Sequence, residues 1–294
     1  MTLLQYEVFK TVVDLKSFTQ AGEKLGLTQG AVSHAIKSLE SEFDLTLLYR
    51  SRSGITLTKE GERMIPYIRQ ILSISEQMKQ EAGKMNGLEI GTIRIGTFSS
   101  VSASLLPTIL KQFHQQYPSI EIELYEGGYG DIRHMLQSGK IDIGFLPSSE
   151  IESLDFIKLL EDPLYVLLPK NHQLNKRKKI SILELTTDPF IMPKGGCDAL
   201  VKKVFKENKI KTNVFCEIED NPTIVAMVEK ELGISIMPDM VINTCSGDVA
   251  ISRLSEDYYR SIGLASKSFA HVSPVVRAFI DQTEQYVNSA YHAK

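Results

Sequence analysis

Residues 17–43, SFTQAGEKLGLTQGAVSHAIKSLESEF, constrain the fold more than any other stretch of the chain. They read as two short amphipathic helices broken at Leu25–Gly26–Leu27. The second opens at Thr28, and Val32, Ile36, Leu39 and Phe43 follow at spacings of four, three and four. That period puts all four on one buried face. The opposite face holds Gly30, Ser33, His34, Lys37 and Ser41. It is small, polar and weakly basic, which suits a helix pressed into the major groove of double-stranded DNA.

If that surface reads DNA, the rest of the chain should contain a sensor. At 294 residues the chain has room for two or three domains. Bulk charge gives the DNA reading no help. The net charge is −3, and residues 1–58 carry six basic and six acidic side chains. Affinity must come from a few placed groups. No stretch is long and apolar enough to span a membrane, and no signal peptide is apparent, so a cytoplasmic location is expected. Cys197, Cys216 and Cys245 are far apart and form no metal-like spacing. This fits a reducing compartment, and no metal or cofactor is expected.

A first helix is expected over Leu3–Val13, with Ser17 or Thr19 capping the second and Thr28 the third. Leu45–Arg50 and Ile55–Leu57, joined by Ser51–Gly54, read as a hairpin or wing. A long helix follows from Thr58, with Glu60 and Glu62 in its first turn. Met64, Ile68, Ile71, Ser75, Met78, Ala82 and Met85 make a heptad-like seam along it. A partner helix is the natural occupant of that seam, with packing on the chain's own sensor as the alternative. Pro66 should kink or loosen the helix, and Gly83, Asn86 and Gly87 should mark a hinge. Beyond residue 90, strands alternate with helices, which implies α/β layers with mainly parallel sheets.

Together these residues resemble the LysR-type transcriptional regulators. That family's pattern includes S-F-T/S-x-A-A-x-x-L, S/T-Q-x-A-V-S-x-x-I-x-x-L-E, L-F-x-R and L-T-x-x-G. Here Ser17-Phe18-Thr19-Gln20-Ala21-Gly22 leads to Leu25, and Thr28-Gln29-Gly30-Ala31-Val32-Ser33 to Ile36 and Leu39-Glu40. Leu47-Leu48-Tyr49-Arg50, Leu57-Thr58 and Gly61 complete the match. Gly22 stands where Ala is usual, Leu48 replaces Phe, and His34 stands where Arg or Gln is frequent. A looser match continues through Ile95-Gly96, Leu106-Pro107, Phe113 to Pro118, Gly139-Lys140-Ile141-Asp142, and Val228 with Gly233-Ile234 and Pro238.

The resemblance implies an α/β chain with a winged helix-turn-helix at 1–58 and a linker and dimerisation helix at 59–87. A two-lobed, periplasmic-binding-protein-like effector domain would occupy 88–294. Lobe I would take about 88–162 and 267–294, and lobe II about 163–266. Strands would cross between lobes near Glu161–Pro163 and Ser266–Ser268. Implied partners are double-stranded DNA, a small-molecule effector and further copies of the chain, as a homodimer extending to a homotetramer. RNA polymerase joins them if the protein is an activator.

The DNA contacts expected are Thr28, Gln29, Gly30, Ser33, His34, Lys37, Arg50 and Arg52. Gln29 can pair with adenine, Lys37 can reach phosphates, and the two arginines flank the wing. Loops rich in hydroxyls and glycines supply the effector candidates Ser99, Ser100, Gly128, Phe145, Gly196, Cys197 and Asn221. Serines and helix N-termini favour a small organic anion. With no arginine in these loops, a tightly clamped dicarboxylate is not expected. Cys197 reads as a small pocket residue, not a redox sensor.

Catalysis has little support: the histidines are scattered and no HExxH, GxSxG or Walker loop occurs. A solute-binding protein or an enzyme on the same two-lobed fold are the competing readings. The first leaves residues 1–87 without a task, and the second lacks a catalytic cluster.

Overall fold

The computed structural model describes residues 1–51, 54–85 and 90–291. The N-terminal unit comprises α1 (Leu3–Leu15), α2 (Phe18–Leu25), α3 (Gln29–Phe43), β1 (Leu48–Ser51) and β2 (Gly54–Leu57). Hydroxyls of Thr2, Ser17 and Thr28 cap the three helices by accepting from the amides of Gln5, Gln20 and Ala31. Val8, Phe9, Val12, Ala21, Val32, Ile36 and Leu39 are fully enclosed where the helices meet. β1 starts three residues later than the sequence suggests. The reason is Glu40, whose Oε1 accepts from the amides of both Leu47 and Leu48 and ties the chain to α3.

Gly22 has a local cause. A Cβ there would lie 2.6 Å from the carbonyl oxygen of Leu27, so the tight turn between α2 and α3 excludes even alanine in this backbone. Its helix-propensity cost of about 1 kcal/mol is accepted for that close approach.

α4 (Lys59–Met85) begins under a Thr58 cap and runs about 40 Å without interruption. Pro66 lies within it and removes one ladder donor, yet the helix continues. The predicted seam mixes two faces of this helix. Ile65 and Ile68 are buried in the winged-helix core, and Met64 and Leu72 pack against it. Tyr67, Ile71, Ile74 and Met78 form the outward stripe instead. The winged helix claims the first turns, and 3.6 residues per turn carries the remaining apolar positions off that face. Asn86 and Gly87, read as hinge residues, lie outside the described residues.

α4 is anchored on both sides. Arg69 Nη2 meets Asp14 Oδ1 of α1 at 2.5 Å, and Nη1 donates to Ser138 Oγ in the effector domain. One buried side chain thus joins the winged helix, the linker helix and the sensor.

The effector domain contains β3 (Gly91–Thr97), α5 (Ser99–Ser104), α6 (Leu106–Gln116), β4 (Ile120–Glu126), α7 (Tyr129–Gln137), β5 (Ile143–Pro147) and β6 (Asp155–Pro169). It continues with β7 (Lys179–Ile180), β8 (Pro189–Pro193), α8 (Asp198–Glu207), β9 (Asn213–Ile218), α9 (Asn221–Glu229) and β10 (Ser235–Pro238). α10 (Asp239–Ile242), β11 (Val249–Leu254), β12 (Tyr259–Ser266) and α11 (Pro274–Tyr291) complete it.

Lobe I has strand order β4-β3-β5-β12-β6, with α11 returning to bury Val275, Phe279 and Ile280 against it. Lobe II is built on the second half of β6, which pairs with β10 and β11. β3 runs parallel to β4 and β5, but β12 is antiparallel to both β5 and β6. The sheets are therefore mixed, not mainly parallel, because the strand that leaves lobe I and the one that returns run against each other.

β6 runs from lobe I, where it pairs with β12, through Pro163 into lobe II, where it pairs with β10 and β11. The return is earlier than expected. Tyr259 already pairs with Pro163, and all of β12 lies in lobe I, so the chain comes back at 255–258 and not at 266–268.

Candidate DNA-binding face and effector cleft

The exposed face of α3 presents Gln29, Gly30, His34 and Lys37, with Ser33 half-buried. The Thr28 hydroxyl is engaged as the helix cap. β1 brings Arg50 to this face, where its Nη2 donates to Ser33 Oγ at 3.4 Å. Its guanidinium also lies 4.1 Å from the centre of the Phe18 ring. Gln29, Gly30, Ser33 and Arg50 line one notch between the start of α3 and the wing. Arg52 lies outside the described residues.

The effector candidates do not gather in one place. Ser100, Gly196 and Cys197 meet in the cleft between the lobes. Ser99 and Asn221 line a separate cavity of about 460 Å³ with Glu126, Glu219 and Asp220. Gly128 caps α7, and its amide donates to Asp131. Phe145 is a correction: it is fully buried in the core of lobe I, because β5 is covered on both faces. Ser99 and Ser100 form the first turn of the short α5, not a loop.

What organises the cleft is Arg260, which loop-based reasoning missed. It enters from β12, directly opposite Asp162 on β6. Its Nη2 donates to Asp162 Oδ2 at 2.6 Å and to Ser100 Oγ at 2.9 Å. Nη1 donates to Tyr129 Oη at 2.7 Å and lies 3.7 Å from Cys197 Sγ. Nε also donates to Asp162, and the guanidinium sits 5.0 Å from the Phe98 ring centre. The second oxygen of Asp162 accepts from the amide of Met240. Arg260 therefore touches lobe I through Ser100 and Tyr129, lobe II through Cys197, and the hinge through Asp162.

The electrostatics follow from this enclosure. Burial opposes the charge on Arg260, but Tyr129, Cys197 and Asp162 outweigh it and hold the group above its ordinary range. Burial, with Cys197 adding to it, pushes the Tyr129 phenol up against the pull of Arg260. Burial likewise raises the Cys197 thiol, so it is a neutral pocket residue and no reactive thiolate. The cavity beside this cluster measures about 680 Å³ and includes Ser148, Gly196, Lys203 and Tyr259. An arginine does stand in the cleft, contrary to the expectation drawn from the loops. The sequence signal was Arg260, the one charged residue of β12; Asp162 did not stand out, because β6 also carries Asp155, Lys158 and Glu161.

Comparison with known proteins agrees with this architecture. Residues 3–62 match the bacterial regulatory helix-turn-helix protein, lysR family, and residues 86–288 match the LysR substrate binding domain. The chain is 33% identical to the HTH-type transcriptional regulator YvbU of Bacillus subtilis (strain 168), over 97% of this chain and 98% of that one. It is 34% identical to the HTH-type transcriptional activator CmpR of Synechocystis sp. (strain ATCC 27184 / PCC 6803 / Kazusa), over 85% and 84% of the two chains. A full-length OxyR variant from Pseudomonas aeruginosa has the same fold, with a TM-score of 0.80 at 22% identity, covering 98% of this chain and 95% of that one. The chain belongs to the LysR family of DNA-binding transcriptional regulators.

Proposed function

We propose that this regulator acts as a dimer in the cytoplasm and that a small organic anion in the Arg260 cleft sets its grip on promoter DNA. The observation that carries the reading is the placement of Arg260. A buried guanidinium that touches both lobes and the hinge is a charge around which the lobes can close. A carboxylate would replace the neutral Ser100 and Tyr129 oxygens with a charge-assisted pair. The ligand would then favour one lobe arrangement and shift its population.

On this reading Gln29, Gly30, Ser33, His34 and Lys37 enter the major groove, and Arg50 and Arg52 serve the wing. The exposed Tyr67–Ile71–Ile74–Met78 stripe of α4 pairs two subunits so that both half-sites are read. Pairing of dimers into a tetramer, and contact with RNA polymerase in an activator, extend the same assembly. The cleft is assigned to an effector, with no resident cofactor and no catalytic step. Its relatives are regulators, and residues 1–87, idle in a solute-binding protein or an enzyme, have a task here. Among the described residues, no helix is long and apolar enough to cross a membrane.

Footprinting of the DNA upstream of the protein's own gene, with and without a panel of small carboxylates, tests the reading. A protected site whose pattern changes with one acid supports it. Absence of protection at every acid concentration defeats it.

A further inference from the structure

A cavity of about 490 Å³ lies between α4 and lobe I, away from the cleft and sharing no residue with it. On the α4 side, Arg69, Glu76 and Gln80 recur at helical spacing and face it. Arg69 and Gln80 are each more than nine-tenths buried. Each carries a polar atom with no hydrogen-bond partner: a donor at Arg69 Nε and an acceptor at Gln80 Oε1. Buried polar groups in folded proteins are almost always paired, so such orphans mark a place where a partner belongs.

The opposite wall repeats this duality. Lys267 lines the cavity and makes no ion pair among the described residues, and Glu76 likewise has none. Arg94 and Asp142, also in the wall, are already paired with each other. The aliphatic part of the lining comes from Ile74, Ile141, Val272 and Val276, and Gln70, Gln77 and His271 stand beside it. Among the described residues, one unpaired cation and one orphan donor, one unpaired carboxylate and one orphan acceptor, and an aliphatic part of the wall describe the complement of a zwitterion with an apolar tail.

We propose that this cavity is a second small-molecule site that takes an α-amino acid with an apolar side chain. The carboxylate pairs with Lys267 and Arg69 Nε. The ammonium meets Glu76 and Gln80 Oε1, and the side chain lies on Ile141 and Val276. Arg69 also holds Asp14 of the winged helix and Ser138 of lobe I. An occupant therefore braces the joint between sensor and DNA-binding unit, and its binding is coupled to the spacing of the two DNA-binding units. The site does not depend on the cleft reading.

Calorimetric titration of the full chain with leucine, isoleucine, valine and phenylalanine tests it. Saturable binding of at least one is expected, weakened at least tenfold by Lys267→Ala and by Glu76→Gln. These substitutions alter partly or fully exposed side chains, so folding should survive. Lys203→Ala, which alters an exposed side chain lining the cleft, should leave the affinity unchanged. The proposal is overturned if none of the four amino acids binds, or if both wall substitutions are silent. Loss of binding in Lys203→Ala alone would move the ligand to the cleft and also overturn it. Equal binding of 4-methylpentanoate, which lacks the amino group, would refute the zwitterion assignment.

Discussion

Arg260 and Asp162 face each other across the antiparallel pair β12–β6, 2.6 Å apart, with side chains 3% and 0% exposed. The register of two strands thus places an ion pair at the hinge between the lobes, where the backbone amide of Met240 and the hydroxyls of Ser100 and Tyr129 complete its hydrogen bonds.

Removing one partner should cost more than removing both. Arg260→Gln leaves a buried carboxylate without its counter-charge, and a loss of about 3–5 kcal/mol is expected. Adding Asp162→Asn should recover part of that loss, because no isolated charge then remains. Denaturant unfolding of the parent, both single variants and the double variant measures the coupling. Strict additivity would show that the two groups do not act as a pair.

Alkaline pH probes Tyr129 in this cluster and Tyr125 beside Glu123 on β4. The Tyr125 phenol is pushed up to about 12 by burial and by its hydrogen bond to Glu123, and burial raises Tyr129 as well. An unfolded chain releases its phenol protons near pH 10. Between that value and about 12 the unfolded state holds fewer protons than the folded one, so stability falls as pH rises. Below that range the two phenols contribute no pH dependence. Burial raises Tyr291 too, so phenolate absorbance should show three of the eleven tyrosines ionising late, and Tyr129→Phe should remove one of them. Simultaneous ionisation of all eleven in the folded protein would contradict this account.

The helical parts were legible because their signals are local. Caps at Ser17, Thr28 and Thr58, and the Val32–Ile36–Leu39 stripe, are written within a turn or two of the residues they organise. The cleft was legible only in part. Ser100, Gly196 and Cys197 sit beside helix starts, where short polar residues advertise a ligand loop. Arg260 meets Asp162 across 98 positions of sequence, and only strand register brings them together. Phe145 misled because a residue next to a candidate loop can belong wholly to the core. The α4 seam misled because a heptad pattern does not say where an intramolecular core ends and an outward stripe begins.

Two substitutions on α3 should separate base reading from phosphate contact. Gln29→Ala should reduce discrimination between operator and random DNA by about 1–3 kcal/mol, with little change in non-specific affinity. Lys37→Ala should weaken binding to all sequences and lower the slope of log affinity against log salt by about 1. Fluorescence anisotropy at several salt concentrations gives both quantities. Unchanged discrimination in Gln29→Ala would remove it from the base contacts, and an unchanged slope in Lys37→Ala would remove that residue from the phosphate contacts.

The outward stripe of α4 predicts how subunits associate. Ile71 is 41% exposed and Met78 is 68% exposed, at positions seven residues apart and so on the same side of the helix. Tyr67 and Ile74, 65% and 57% exposed, lie between and beside them, giving a continuous exposed apolar strip. Ile71→Glu or Met78→Glu would place a carboxylate in the proposed seam, where a second subunit must desolvate it. The expected result is a shift from dimer to monomer in sedimentation velocity, with helix content retained, because neither residue packs in the winged-helix core. Operator affinity should fall with it, since a monomer reads one half-site and loses the gain from linking two. Ile68→Glu provides the contrast. That side chain is 1% exposed among winged-helix residues, so its substitution should unfold the DNA-binding unit instead of dissociating a dimer. Retention of the dimer in both stripe variants would relocate the subunit interface away from α4.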